Sequence, residues 1–242
     1  MASFARRMRC DISEKGESMA KGKLITIEAG DGSGKATQTK ALWEHLLRDG
    51  YNVMKVEYPD YKSESSALVK MYLGGRFGEH ADDVDAYGAS TFFAVDRYAS
   101  YHLNWKKAYD DGAVILADRY TTSNMVHQAV KISDPVERDT FLTWLWDFEF
   151  KKLRLPVPDV VIYLDMAPEV SDRLINQRAA ADANRRKDIH ERDFDYLHRC
   201  HEAYNWVADK YGWKKVFCSE KDEPRSIEAI HTEVYNIVQR YI

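Results

Sequence analysis

Residues 23 to 37 read Lys-Leu-Ile-Thr-Ile-Glu-Ala-Gly-Asp-Gly-Ser-Gly-Lys-Ala-Thr, and this stretch decides the fold. Leu24 to Ala29 is a short apolar run rich in β-branched residues. Gly30, Gly32 and Gly34 then crowd together, and Lys35 to Asp49 follows with helical spacing at Leu42, His45 and Leu46. The order is strand, tight loop, helix. Glycines in such a loop let successive backbone N–H groups converge on phosphate oxygens, the lysine neutralises charge, and the helix N-terminus adds a positive dipole. The strict pattern GxxxxGK[ST] is missed twice, with Ala29 at the first glycine and Ala36 at the hydroxyl position that ordinarily meets Mg²⁺. The flanking strand and helix supply the context that identifies Gly30, Gly32, Ser33, Gly34, Lys35, Ala36 and Thr37 as a nucleotide-phosphate cradle. With Ala36 in place, Mg²⁺ falls to Thr37, water, nearby carboxylates or the nucleotide itself.

Outward from the loop, Gly50 ends the helix and Asn52 to Tyr58 is extended as far as Pro59, which makes a βαβ unit. Helical stretches are expected over Ser65 to Leu73, Asp85 to Asp111, Thr140 to Phe150, Pro168 to about Ala179, Asp193 to Tyr211 and Pro224 to Ile242. Further strands are expected at Ala113 to Ala117, Val160 to Leu164 and Lys214 to Cys218. Five strands with helical connections and no strong hairpin signal imply an α/β fold: a parallel sheet flanked by helices on both faces. Residues 180 to 192 are charged, nearly free of large apolar side chains, and read as a mobile lid.

Asp118-Arg119-Tyr120 follows the strand at Ala113 to Ala117, where parallel sheets place ligand-binding groups. Asp118 is placed to orient a metal or its waters, and Arg119 to fork onto a phosphate. Phe93 and Arg97 are four apart on one helix, so a ring and a guanidinium share a face and form a slot for a flat heterocycle. Arg178, Arg185, Arg186, Lys187 and Arg192 concentrate positive charge around the lid. Closure of such a lid would stabilise a transferring phosphoryl group and exclude water. His198, Cys200 and His201 lack a fourth ligand at suitable spacing and read as surface residues. Trp144, Trp146, Phe148 and Phe150 read as core or as a dimer contact.

Composition bounds the rest. The 242 residues carry 35 Lys+Arg against 39 Asp+Glu, a formal net charge of -4, so no whole-surface field favours nucleic acid or an anionic membrane. No apolar run approaches the roughly 20 residues of a membrane span. Cys10, Cys200 and Cys218 are odd in number and lack CxxC spacing, which fits a reducing cytoplasm. Residues 1 to 20 are expected to be a disordered extension, and Met19 is a candidate start.

Together these residues resemble the thymidylate kinase family from Lys23 to the C-terminus. The matching pieces are Ile27-Glu28 through Gly34-Lys35, Thr37-Gln38, Tyr58-Pro59, Tyr72-Leu73, Phe93 with Asp96-Arg97, Asp118-Arg119-Tyr120 with Ser123 and Gln128, Pro158-Asp159 to Leu164-Asp165, and Ser226-Ile227-Glu228. The resemblance implies a nucleoside-monophosphate-kinase-like P-loop NTPase fold over 21–242. The implied enzyme is Mg²⁺-dependent and homodimeric, phosphorylating dTMP to dTDP with ATP. By position, Lys35 and the loop amides would hold ATP, while Asp31 would contact the sugar of dTMP and Tyr58 would belong to the dTMP site. Phe93 would stack on thymine, Arg97 would bond its edge, Arg119 would hold the acceptor phosphate, and Gln128 would line the pocket. The family places its catalytic arginine either in the loop or in the lid. Gly32 at the loop position, with Arg185 and Arg186 in the lid, resembles the second group. Tyr61 stands where many relatives carry an arginine, and Ile189 about where a tyrosine screens the sugar. A deoxynucleoside kinase of the same fold, with Glu57 or Asp60 as base, or a non-catalytic nucleotide binder are the alternatives.

Overall fold

The computed structural model describes residues 21–181 and 194–242, and side chains outside 178–194. The proposed N-terminal extension and the lid residues 182–193 therefore lie outside the described residues, as do the side chains of Arg178, Arg185, Arg186 and Arg192. Residues 180 and 181, read as lid from the sequence, are the last residues of a helix.

Strands β1 (Lys23–Ala29), β2 (Val53–Glu57), β3 (Val114–Asp118), β4 (Val160–Asp165) and β5 (Lys214–Phe217) form one parallel sheet in the order β2-β3-β1-β4-β5. The βαβ reading of residues 23–58 holds for direction but not for adjacency, because β3 sits between β1 and β2. Alternation along β1 divides its side chains between two cores. Ile25 and Ile27 pack with Leu42 and Leu46 of α1 (Lys35–Arg48) and Val234 of α9 (Ile227–Val238). Leu24 packs with Tyr58, Trp105 and Tyr120 on the other face. Each fully buried leucine or isoleucine contributes about 1.5–3 kcal/mol, so covering both faces is what holds this strand at the centre.

The remaining helices are α2 (Ala67–Leu73), α3 (Ala86–Ser100), α4 (Lys106–Asp110), α5 (Thr121–His127), α6 (Pro135–Trp146), α7 (Pro168–Ala181) and α8 (Phe194–Tyr211). Asp85 caps α3, its carboxylate accepting from the N–H groups of Tyr87 and Gly88 at 2.9 Å. Asp134 caps α6 in the same way and Pro135 opens it, so this helix starts before the expected Thr140. A wide π-type turn, Asp147–Lys152, extends it. A short ribbon of β6 (Ser219–Glu220) and β7 (Glu223–Pro224), turned at Lys221 and Asp222 with φ of 49° and 63°, occupies the start of the expected last helix.

The helix after the phosphate loop is clamped to the C-terminal helix. His45 Nδ1 and His231 Nε2 are 2.8 Å apart, and the His45 ring stacks on Tyr235 at 3.9 Å. Burial, then the neighbouring His45 and Arg48, push His231 below its ordinary value of 6.5. Its folded-state value is the lower one, so on acidification the unfolded chain takes the proton first. The stability this contributes is present above about pH 6.5 and is lost as pH falls through the folded value. The fall in Tm between about pH 7.5 and about pH 5 should therefore be smaller in His231→Gln than in the parent. Equal falls would remove His231 as a contributor.

Candidate active site

At the C-terminal ends of β1 and β3 the chain opens a cavity of about 340 Å³. Asp31, Lys35, Tyr58, Phe93, Arg97, Asp118, Arg119 and Gln128, singled out from sequence, all line it. The register explains the convergence, because Asp118 closes β3 opposite both Ile27 of β1 and Glu57 of β2. Gly30 and Ser33 line a smaller adjoining recess with Asp31, and Ala36 and Thr37 are exposed in the first turn of α1.

The loop has the shape its glycines suggest. Gly32 and Gly34 both have φ of 79°, and Ser33 Oγ donates to the carbonyl of Gly30 at 2.8 Å. Gly34 precedes α1 with no side-chain cap, which leaves the first N–H groups of that helix for an anion. Lys35 Nζ is bonded to a carboxylate oxygen of Asp118. Burial, with the charge of Arg119 adding to it, lowers the Lys35 pKa despite that partner.

Arg119 sits at φ 65°, a left-handed conformation that costs a non-glycine residue of order 1–3 kcal/mol. Its amide donates to the carbonyl of Ile27 at 3.1 Å, and its guanidinium pairs with Asp31 at 2.7 Å. Burial opposes its charge, but Tyr204, Asp31, Glu28 and Asp118 outweigh this and hold its pKa well above the ordinary value. Behind it, fully buried Glu28 accepts from the Tyr120 amide at 3.1 Å, Thr122 Oγ1 at 2.5 Å, Ser123 Oγ at 2.7 Å and the Tyr204 hydroxyl at 3.2 Å. The turn after β3 is thus moored to the central strand.

Arg97 is less open than the slot reading implied. Its Nε and Nη2 donate to Glu149 at 2.7 and 2.5 Å, Thr121 Oγ1 donates to the same carboxylate at 2.7 Å, and both charged side chains are buried. Phe93 meets Tyr72 edge-on at 6.1 Å and keeps a place on the cavity wall. The Tyr58 hydroxyl is turned into the core, donating to Ser100 and accepting from Trp105 Nε1 at 2.9 Å, and burial pushes its pKa up to about 12. Only its ring is left for a ligand. Glu57 and Tyr61 also line the cavity. Asp60 Oδ1 accepts from the Lys62 amide at 3.2 Å.

Glu149, Glu28, Asn124, His127 and Tyr204 were not singled out as functional residues from sequence. Glu149 had a legible signal, since it continues the buried stripe of Leu142 and Leu145 at helical spacing, and a carboxylate on a core stripe needs a buried partner. Asn124 and His127 lie within a helix whose polar start gave no amphipathic pattern. The surface reading of His198, Cys200 and His201 is corrected at Cys200, which is buried beside His127, while His201 pairs with Asp165 at 2.9 Å. Trp144, Trp146, Phe148 and Phe150 are half-buried, with Trp144 stacked on Phe148 at 5.2 Å.

Comparison with known proteins agrees with this geometry. The thymidylate kinase family model matches residues 27–234. A thymidylate kinase of Mycobacterium tuberculosis is 31% identical over 193 residues, covering 78% of this chain and 87% of that protein. A probable thymidylate kinase of Thermococcus gammatolerans is 28% identical, covering 91% and 98% respectively. The chain belongs to the thymidylate kinase family. Its P-loop NTPase fold is the five-stranded α/β arrangement described above.

Within this thymidylate kinase family member, the packing of the loop limits what can stand at position 32. A Cβ at Gly32 would lie 2.8 Å from both the Ser171 carbonyl oxygen and Ile175 Cγ1 of α7, and Ser171 Oγ donates to the Asp31 carbonyl. Position 32 has no room for an arginine. The Asp118 carboxylate is a hard oxygen donor on the cavity wall, which suits Mg²⁺ retaining several waters; among the described residues no set of three acidic, His or Cys side chains could cage a metal.

Proposed function

We propose that this chain transfers the γ-phosphoryl group of ATP to dTMP, giving dTDP and ADP. Gln128 carries the acceptor half of that reading. Its amide is fully buried at the cavity wall, and neither its nitrogen nor its oxygen has a hydrogen-bond partner. An orphaned buried amide costs of order 1–3 kcal/mol for each group left unpaired, and a pyrimidine edge with N3–H beside a carbonyl offers the complementary donor and acceptor. Phe93 stacks on the base, Arg97 meets its edge with the N–H groups that Glu149 leaves over, and Asp31 contacts the sugar. Arg119 holds the acceptor phosphate.

Lys35 and the loop amides hold the phosphates of ATP, with Gly30, Gly32, Ser33 and Gly34 giving the backbone its approach. Asp118 and Thr37 would hold Mg²⁺, which when bound neutralises charge on the β- and γ-phosphates. The attacking oxygen of a monophosphate is already anionic, so neither Glu57 nor Asp60 is needed as a base. With position 32 closed to an arginine, Arg185 and Arg186 are the side chains assigned to the transferring group. Exposed Val95, Tyr98 and Leu103, at 50%, 42% and 80%, lie along α3 and the turn after it. They support a homodimer through that face, which Val95→Asp should convert to a monomer by light scattering. Cys200 and Cys218 are buried thiols pushed up to about 12 by burial, which suits a reducing cytoplasm. No helix among the described residues is long and apolar enough to cross a membrane.

The test is ADP release with ATP and Mg²⁺ and, as acceptor, dTMP, dUMP, thymidine or none. Release should depend on dTMP, with dUMP poorer by about 10-fold or more, the selection that one methyl group supplies. Release with thymidine alone would move the reading to a nucleoside kinase. Nucleotide binding without release would leave a binder.

A further inference from the structure

We infer that His127 is a positioning residue for Arg119, and that with Tyr204 it selects the guanidinium edge that the acceptor phosphate meets. Arg119 Nη1 lies 3.1 Å from His127 Nε2 and 3.2 Å from the Tyr204 hydroxyl, while Nη2 donates to Asp31 at 2.7 Å. A guanidinium has donors only, so the imidazole nitrogen facing it must be the unprotonated one, and the ring proton belongs on Nδ1. The other side of the ring agrees. Nδ1 faces Cys200 Sγ at 3.4 Å and the Tyr196 oxygen at 3.5 Å, and the Tyr196 hydrogen is directed to the His127 carbonyl at 2.8 Å. The Tyr204 hydroxyl, which also lies 3.2 Å from His127 Nε2, accepts from Nη1 and directs its own hydrogen to Glu28 at 3.2 Å.

The donor count then becomes specific. Of the five N–H groups of Arg119, the two on Nη1 go to His127 and Tyr204 and one on Nη2 goes to Asp31. Nε–H and the second Nη2–H remain, and when these share an edge they form the two-pronged fork that matches two phosphate oxygens. Without the acceptor at position 127, one Nη1–H has no protein partner and the guanidinium is free to rotate away from that presentation. The inference rests on the assignment of Arg119 to the acceptor phosphate.

The test is steady-state kinetics of the full chain with dTMP and ATP, with thermal melting to establish that each variant folds. Arg119→Ala serves as the reference and should raise KM for dTMP by more than about 100-fold. His127→Leu should raise KM for dTMP about 10-fold and leave KM for ATP unchanged. His127→Gln, whose side-chain oxygen again offers an acceptor to Nη1, should recover most of that loss. If Arg119→Ala raises KM for dTMP and His127→Leu does not, or if glutamine is as damaging as leucine, the positioning role is overturned. If Arg119→Ala itself leaves KM for dTMP unchanged, the assignment beneath it is wrong and the inference goes with it. The ¹⁵N shifts of His127 in the unsubstituted protein give a readout independent of turnover: an unprotonated Nε2 supports the role, and a protonated one overturns it.

Discussion

Lys35→Ala is expected to lower kcat/KM about 10²- to 10³-fold while leaving the melting transition nearly in place. The ammonium lies at the mouth of the loop beside Asp118, where charge gathers on transferring phosphates, and a preorganised donor at such a position is worth about 3–4 kcal/mol in a water-poor site. Its contribution to folding is smaller, because removing it leaves Asp118 near a cavity that water can enter. Burial and Arg119 lower the Lys35 pKa in the free protein, so the charged form is lost earlier on the alkaline side than the ordinary 10.5 would give. The corresponding sign is that kcat/KM for ATP declines as pH rises, beginning below that value. Retained turnover in Lys35→Ala would remove the phosphate-loop assignment.

The largest loss of stability is expected from Glu149→Ala. This carboxylate is wholly buried and answers Arg97, itself almost wholly buried, through two hydrogen bonds, with a third from Thr121. Removing one member of such a pair leaves an uncompensated charge in the interior and costs about 3–5 kcal/mol. For a chain of this size that corresponds to a fall in Tm of about 10 °C. Substituting Arg97 at the same time, with methionine, should recover part of the loss, because no lone charge then remains. A fall of less than about 1 kcal/mol in Glu149→Ala, measured by denaturant unfolding, would show that water or another group already compensates Arg97.

How far these residues could be read in advance depended on the range of the interactions that place them. The β1–loop–α1 unit and the Asp118-Arg119 step announce themselves locally, through a buried run, three glycines and a charged pair at a strand end. Strand order was not legible: nothing within Val114–Asp118 says that it will separate β1 from β2. The α5 segment escaped for a different reason. It starts just after a residue at positive φ with Thr121-Thr122-Ser123, poor helix formers whose hydroxyls are taken by Glu28 and Glu149 from elsewhere in the chain. Arg97 was legible as a site residue because of its spacing from Phe93. Its commitment to Glu149 was not, because the partner lies 52 residues further along and local spacing does not say which buried groups will meet.

Glu28 also bears on the order in which the molecule is completed. Its partners lie 92 to 176 residues further along, at Tyr120, Thr122, Ser123 and Tyr204. A chain growing from the ribosome makes the central strand first and must keep that carboxylate hydrated until the others have emerged. Contacts of such sequence separation are slow to form, so the centre of the sheet is expected to consolidate late, with the docking of α8 completing the set of partners around Glu28. A nascent chain halted before residue 204 should accordingly be protease-sensitive around β1, even though every residue of the phosphate loop has already been synthesised.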